Sequence, residues 1–127
     1  MNYIQFCTTV DILGYFYVQK ETNPLRYRAI IFIAASKKSI YDSLLEYFDN
    51  DIDIVIIKHE KRRHITISNI NSVLSLLNHI GNNSIYSTAN ISLLSKFVKS
   101  RLINNKKRYD LNDEIYYKTL KLTRYDK

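Results

Sequence analysis

A chain of 127 residues with 46% apolar residues, 2 glycines and 1 proline has the make-up of one globular domain, 1–127, and excludes a disordered or linker-rich chain. Cys7 stands alone, which excludes an intramolecular disulfide and a cysteine-built metal cluster. The net charge of +7 favours polyanions through counterion release and long-range steering, although a moderately basic surface also suits a protein that binds none.

No apolar run reaches the roughly 18 residues of a membrane span, so no membrane partner is expected. The start MNYIQFCTTVD has no basic leader region, so no secretory signal is expected either. Ile, Asn, Lys and Tyr contribute 18, 12, 12 and 11 residues. Their codons are AT-rich, which points to an AT-rich genome such as that of a mitochondrion or another organelle.

Residues 3–13 fit a short helix, and Gly14 permits a tight exit from it. From Tyr15 to Glu21 the alternation predicts a strand, with Phe16 and Val18 on one face and Tyr15, Tyr17 and Gln19 on the other. Thr22-Asn23-Pro24 is a turn, and Arg26 to Ala34 completes a hairpin. Ser36 is placed to cap a helix carrying Ile40, Leu44, Leu45 and Phe48, which Asn50-Asp51 ends. Asp51 to Lys58 reads as a strand with Ile52, Ile54 and Ile56 on one face, and His64 to Ser68 as its partner across the charged tip KHEKRR, 58–63.

Asn69 opens a helix striped by Ile70, Val73, Leu74, Leu77 and Ile80, and Gly81-Asn82-Asn83 stops it. A longer helix spans Thr88 to Ile103, with Ile91, Leu94, Val98 and Leu102 inward, before Asn104-Asn105 and Lys106, Lys107 and Arg108 interrupt it. Asp110 is a good N-cap for a last helix, 111–122, with Leu111, Ile115 and Leu122 as its stripe. Two hairpins interleaved with helices define an α+β fold: a four-stranded antiparallel sheet, helices on one face, and the other face free and curved by twist.

This order resembles the LAGLIDADG homing endonucleases, whose unit runs helix, two strands, helix, two strands, then helices. FCTTVDILG, residues 6–14, stands where the family motif would stand, with Asp11 at its first aspartate and Gly14 at its last glycine. YFYV, IIKHEKRRHITIS and ANISLLSKF are similar to the family's first strand, second hairpin and following helix. The resemblance implies a concave sheet that lies on DNA and paired first helices that meet through small residues, for which Cys7, Thr8 and Thr9 stand here. It also implies a carboxylate for divalent metal just before the final glycine, and that position is Leu13. Leucine offers no oxygen to a hard cation. Asp11, on another side of the helix, is placed to cap or hydrogen-bond at the helix end. The basic residue that the family places before the later helix is also missing, since no Lys or Arg lies between His79 and Lys96.

Candidate nucleic-acid contacts are Tyr17, Gln19, Arg26 and Arg28 on the open sheet face, where tyrosines stack on bases and arginines meet phosphates or guanine edges. A solvated sheet face is the other reading. Lys58, Lys61, Arg62, Arg63 and His64 form a cationic tip, and Lys106, Lys107 and Arg108 a second cluster. These are alternatively a solvated turn and the cationic end of a helix. His59 and His64 flank the tip without a third ligand in sequence, and two glycines exclude Walker and dinucleotide patterns, so no metal and no cofactor is expected.

Three functions follow. The first is a nuclease-inactive LAGLIDADG-like protein that binds structured RNA in preference to DNA, as an intron-splicing helper or a part of an organellar ribosome or another large ribonucleoprotein. The second is an active homodimeric DNA endonuclease that uses Asp11. The third is a structural subunit whose tyrosines anchor a protein partner. Whether the chain pairs with itself stays open.

Overall fold

The computed structural model describes residues 1–103 and 108–124, with side chains through residue 120. Helix α1 spans Tyr3–Leu13. It starts in a reciprocal cap: Asn2 Oδ1 accepts from the Gln5 N–H at 2.8 Å, and Gln5 Oε1 accepts from the Asn2 N–H at 2.9 Å. It ends at Gly14, whose N–H donates to the Val10 carbonyl. The φ of Gly14 is an ordinary −88°, so backbone freedom does not demand glycine there; space does. A Cβ on Gly14 would sit 2.4 Å from the Val10 oxygen.

Strands β1 (Gly14–Glu21) and β2 (Arg26–Ala34) pair in the register Gly14↔Ile33 to Glu21↔Arg26. After α2 (Lys38–Asn50), β3 (Ile57–His59) and β4 (His64–Ile67) complete one antiparallel sheet in the order β1-β2-β4-β3. Helices α3 (Ile70–Ile80), α4 (Thr88–Ile103) and α5 (Leu111–Arg124) follow. Phe16, Val18, Ala29, Ile31, Ile33, Ile65 and Ile67 face the helices and join Phe6, Val10, Leu44, Leu76, Leu94, Phe97 and Leu120 in one core. Each large side chain fully buried there contributes about 1.5–3 kcal/mol of transfer free energy. Among the described residues no helix is long and apolar enough to cross a membrane.

The α+β architecture and element order agree with the sequence, and four local readings are corrected. The strand expected over 51–58 shrinks to Ile57–His59. Ile52, Ile54 and Ile56 do alternate inward, half-buried against the core. Their partner strand stops at Ile67 because Asn69 caps α3, so residues 52–56 outrun the ladder. The Val55 N–H is satisfied instead by Ser72 Oγ at 2.9 Å.

Ser36 does not cap α2; Lys37 holds that position with no side-chain bond, and the Ser36 carbonyl accepts from the Arg63 guanidinium. Helix α5 runs to Arg124 rather than 122 and buries a different face from the expected one. Leu111 and Ile115 are exposed, whereas Asp113 and Leu120 are fully buried, and the Leu122 side chain lies outside the described residues. The register is set by polar anchors: Asp110 Oδ1 accepts from the Asp113 N–H, Asp113 Oδ2 accepts from the Asp110 N–H, and Arg101 bridges to Asp113 at 3.3 Å. Lastly, Leu76, Tyr41 and Tyr47 join the core although no expected stripe contained them.

Candidate nucleic-acid interface

The junction of α1 and β1 holds the two positions that the motif singles out. Asp11 is 4% exposed, and both its oxygens are occupied. Oδ1 accepts from Ser84 Oγ at 2.5 Å and the Ser87 N–H at 2.9 Å. Oδ2 accepts from the N–H groups of Ile85 and Tyr86 at 2.9 and 3.0 Å. Ser87 Oγ donates to the Asp11 main-chain carbonyl. The carboxylate thus ties the segment 84–87 to α1 and supplies the anion at the N-terminus of α4, where a helix dipole favours it. Burial opposes its charge, but the bonds from Ser84 and from the N–H groups of Tyr86, Ile85 and Ser87 prevail and hold its pKa below the ordinary 3.8. The sequence placed Asp11 to cap or hydrogen-bond at the end of its helix; its bonds go instead to the turn 84–87 that leads into α4.

Leu13 is half-buried and packs against the core. Among the described residues no three His, Cys, Asp or Glu side chains come together as a ligand group. His59 and His64 are direct cross-strand partners, with no third ligand beside them. The side chains present at this junction therefore do not fit a divalent metal: Leu13 carries no side-chain oxygen, and both oxygens of the one nearby carboxylate already accept from donors.

Cross-strand partners share a face of the sheet. The open face therefore carries Tyr17↔Ile30, Gln19↔Arg28 and Glu21↔Arg26 at one end. It carries Tyr15↔Phe32, Phe32↔Thr66, Ala34↔His64 and His59↔His64 toward the other. Tyr17, Gln19, Arg26 and Arg28 lie on that face as expected. Arg28 forms a loose pair with Glu21 at 3.5 Å, whose half-exposure makes it worth about 0–1 kcal/mol.

Lys58, Lys61 and Arg62 are exposed on the β3–β4 hairpin, and among the described residues they form no ion pair, but Lys58 pairs with Ile65 and so lies on the helix side of the sheet rather than the open face. Arg63 differs from them. It adopts φ +54°, its carbonyl accepts from the Ala35 N–H, and its guanidinium is committed to the Ser36 carbonyl, so it anchors the tip. His64 is half-buried with its ring edge-on to Phe32 at 4.7 Å. Arg108 is exposed, and its carbonyl accepts from Arg101. Lys106 and Lys107 lie outside the described residues.

Sequence reasoning missed the middle of this face. Ile30 and Phe32 are outside the core cluster, and Ile30, the cross-strand partner of Tyr17, is buried. The signal was available: the parity that places Arg26 and Arg28 outward continues to Ile30 and Phe32. It also missed an apolar stripe on the outer side of α1, where Ile4 and Ile12 are 59% and 55% exposed. With Thr8, Ile85 and Tyr86 they line an open cavity of about 280 Å³ that reaches Asp11. Cys7, 1% exposed in the core cluster, reaches that cavity only at its inner wall, and the Thr9 hydroxyl donates to the Gln5 carbonyl.

A helix ending at a buried acid and a tight glycine, two hairpins in one four-stranded sheet and helices on one side only define the fold of the LAGLIDADG homing endonucleases. Solved structures agree. The chain superposes on the homing endonuclease I-CvuI in complex with a DNA target at a TM-score of 0.61, with 14% identity over 94% of each chain. It matches the meganuclease I-AabMI bound to uncleaved DNA at 0.66, with 16% identity over 83% of this chain and 38% of that one. It matches I-GzeII in complex with its DNA target at 0.64, with 15% identity over 98% and 44%. The chain therefore has the length of I-CvuI but spans less than half of the other two. No family model matches the sequence, and no curated protein matches it. The likeness is one of fold.

Proposed function

We propose that this chain is a nucleic-acid-binding protein that keeps the LAGLIDADG fold without its nuclease, and that structured RNA in an organellar ribonucleoprotein is its target. The observation that carries the reading is the acidic junction. The motif position that would hold metal is Leu13, and both oxygens of Asp11 are consumed in holding α4. The exposed cations of the β3–β4 hairpin and the open sheet face supply a polyanion surface on a chain of net charge +7. Crosslinking and sequencing of copurified nucleic acid tests it. One dominant structured RNA, crosslinked near 58–64 and 108, is the expected result, together with no cleavage of a duplex DNA library in Mg²⁺. Mg²⁺-dependent cuts at a defined site would overturn it in favour of an active endonuclease.

The exposed stripe of Ile4, Thr8 and Ile12 with Ile85 and Tyr86 favours a second reading that does not compete with the first: α1 is a contact surface for another copy or another subunit. Light scattering of the purified chain, with Ile12→Lys as the control, separates a dimer from a monomer.

A further inference from the structure

The centre of the open sheet face is built unlike its ends. The Phe32 and His64 rings pack edge to face at 4.7 Å, and Tyr15 lies beside Phe32 with ring centroids 6.3 Å apart. Tyr15 is 37% exposed, Phe32 and His64 are half-buried, and Ile30 fills the floor between Phe32 and the Arg28 end. None of these four belongs to the core cluster, so helix packing does not account for them. Cationic side chains bracket the patch. Arg26 and Arg28 stand at one end, and Lys61 and Arg62 stand at the hairpin tip next to His64. From Arg28 to Ala34 the strand covers roughly 20 Å at about 3.4 Å per residue.

Resting on the nucleic-acid reading above, we infer that this patch is a stacking platform for unpaired bases of single-stranded RNA. Phe32 is the main ring, Tyr15 and His64 its flanks, and the phosphates run between the two cationic ends. A duplex presents base edges whose donors and acceptors need polar partners, and an apolar floor would leave them desolvated. An unpaired base presents a π-face instead, which stacks on an aromatic ring whatever its sequence. The net charge of +7 and the exposed Lys61 and Arg62 favour a polyanion, while at the other end Glu21 pairs with Arg28 and leaves Arg26 as the outer cation.

The test uses the full chain and a short oligouridylate carrying one 2-aminopurine, whose fluorescence falls when it stacks, beside a duplex RNA of the same length. The chain quenches the probe and binds the single strand more tightly than the duplex. Phe32→Leu keeps an apolar side chain but removes the ring, and it weakens binding by about 5- to 150-fold with the salt dependence unchanged. Tyr15→Leu is the second variant, and circular dichroism confirms that both are folded. Equal binding of single strand and duplex, with no quenching and no effect of either variant, overturns the platform and leaves the nucleic-acid reading intact. Binding of neither RNA at low salt overturns both and moves the patch to a protein partner.

Discussion

Asp11→Asn isolates what the buried acid does. Asparagine keeps the shape and one carbonyl oxygen, which still accepts from Ser84 Oγ and the Ser87 N–H. Its amide nitrogen then faces the N–H groups of Ile85 and Tyr86, two donors that now find a donor. Each orphaned, partly buried donor costs about 1–3 kcal/mol. The outward side chains of Ile85 and Tyr86 let some water reach these groups, so roughly 2–3 kcal/mol in all is expected from the turn before α4. For a domain of this size that lowers Tm by roughly 10 °C.

The pH dependence supplies a second readout. Because the folded pKa of Asp11 lies below its ordinary 3.8, the stabilisation is complete above that value and is lost as pH falls through the lower folded value. The gap between wild type and Asp11→Asn is therefore largest near neutrality and closes in strong acid. Urea unfolding across that pH range measures it. A neutral-pH difference within about 0.5 kcal/mol, the range of an indifferent surface change, would refute the capping role. A variant that kept full stability and lost only DNA cleavage would return Asp11 to catalysis.

Gly14→Ala drives a methyl into the Val10 carbonyl at 2.4 Å and is expected to lose about 1–3 kcal/mol in denaturant unfolding; an unchanged midpoint would mean that the junction yields easily. Asp113→Ala removes the carboxylate from the Arg101 guanidinium, only 9% exposed, while the Arg108 carbonyl and the Tyr109 ring stay with it, and is expected to cost about 3 kcal/mol, with Asp113→Asn milder. Lys61→Ala with Arg62→Ala removes two phosphate partners and flattens the plot of log affinity against log salt by about 1.4 for single-stranded RNA. Leu13→Asp places a half-buried carboxylate at the C-terminal, negative end of α1 and lowers stability in calorimetry by about 1–2 kcal/mol; Mg²⁺ in the millimolar range does not restore it.

Much of the fold was legible because local chemistry marked it. Asn69 and Gly81 bound α3 as their side-chain and backbone properties require, with Asn69 accepting from the Ser72 N–H and Gly81 at φ +57°. Alternation located both strands of the first hairpin. The same rule overextended β3, because alternation reports which side is buried, while a ladder also needs a partner of equal length. The buried face of α5 was unreadable from apolar spacing, since it is set by Asp113 meeting Arg101, 12 residues away, and by the rings of Tyr116 and Tyr117 against Phe97 and Tyr27.

The role of Asp11 was half legible. An acid near the C-terminal end of a helix is disfavoured by that helix's own dipole, so it needs donors from elsewhere. The four donors lie at 84–87, and only the folded chain brings them to it.

The two acidic positions of the motif answer to different forces, and this chain separates them. Position 11 is held by the fold itself: its carboxylate satisfies the N–H groups of residues 85, 86 and 87 on the turn into α4. Position 13 answers to packing. Without a cation, a carboxylate there would be half-buried at the negative end of α1 with no donor assigned to it, so an apolar residue that packs against the core is the more stable choice. Leucine at 13 thus answers to packing at this junction, as aspartate at 11 answers to the donors of the turn before α4.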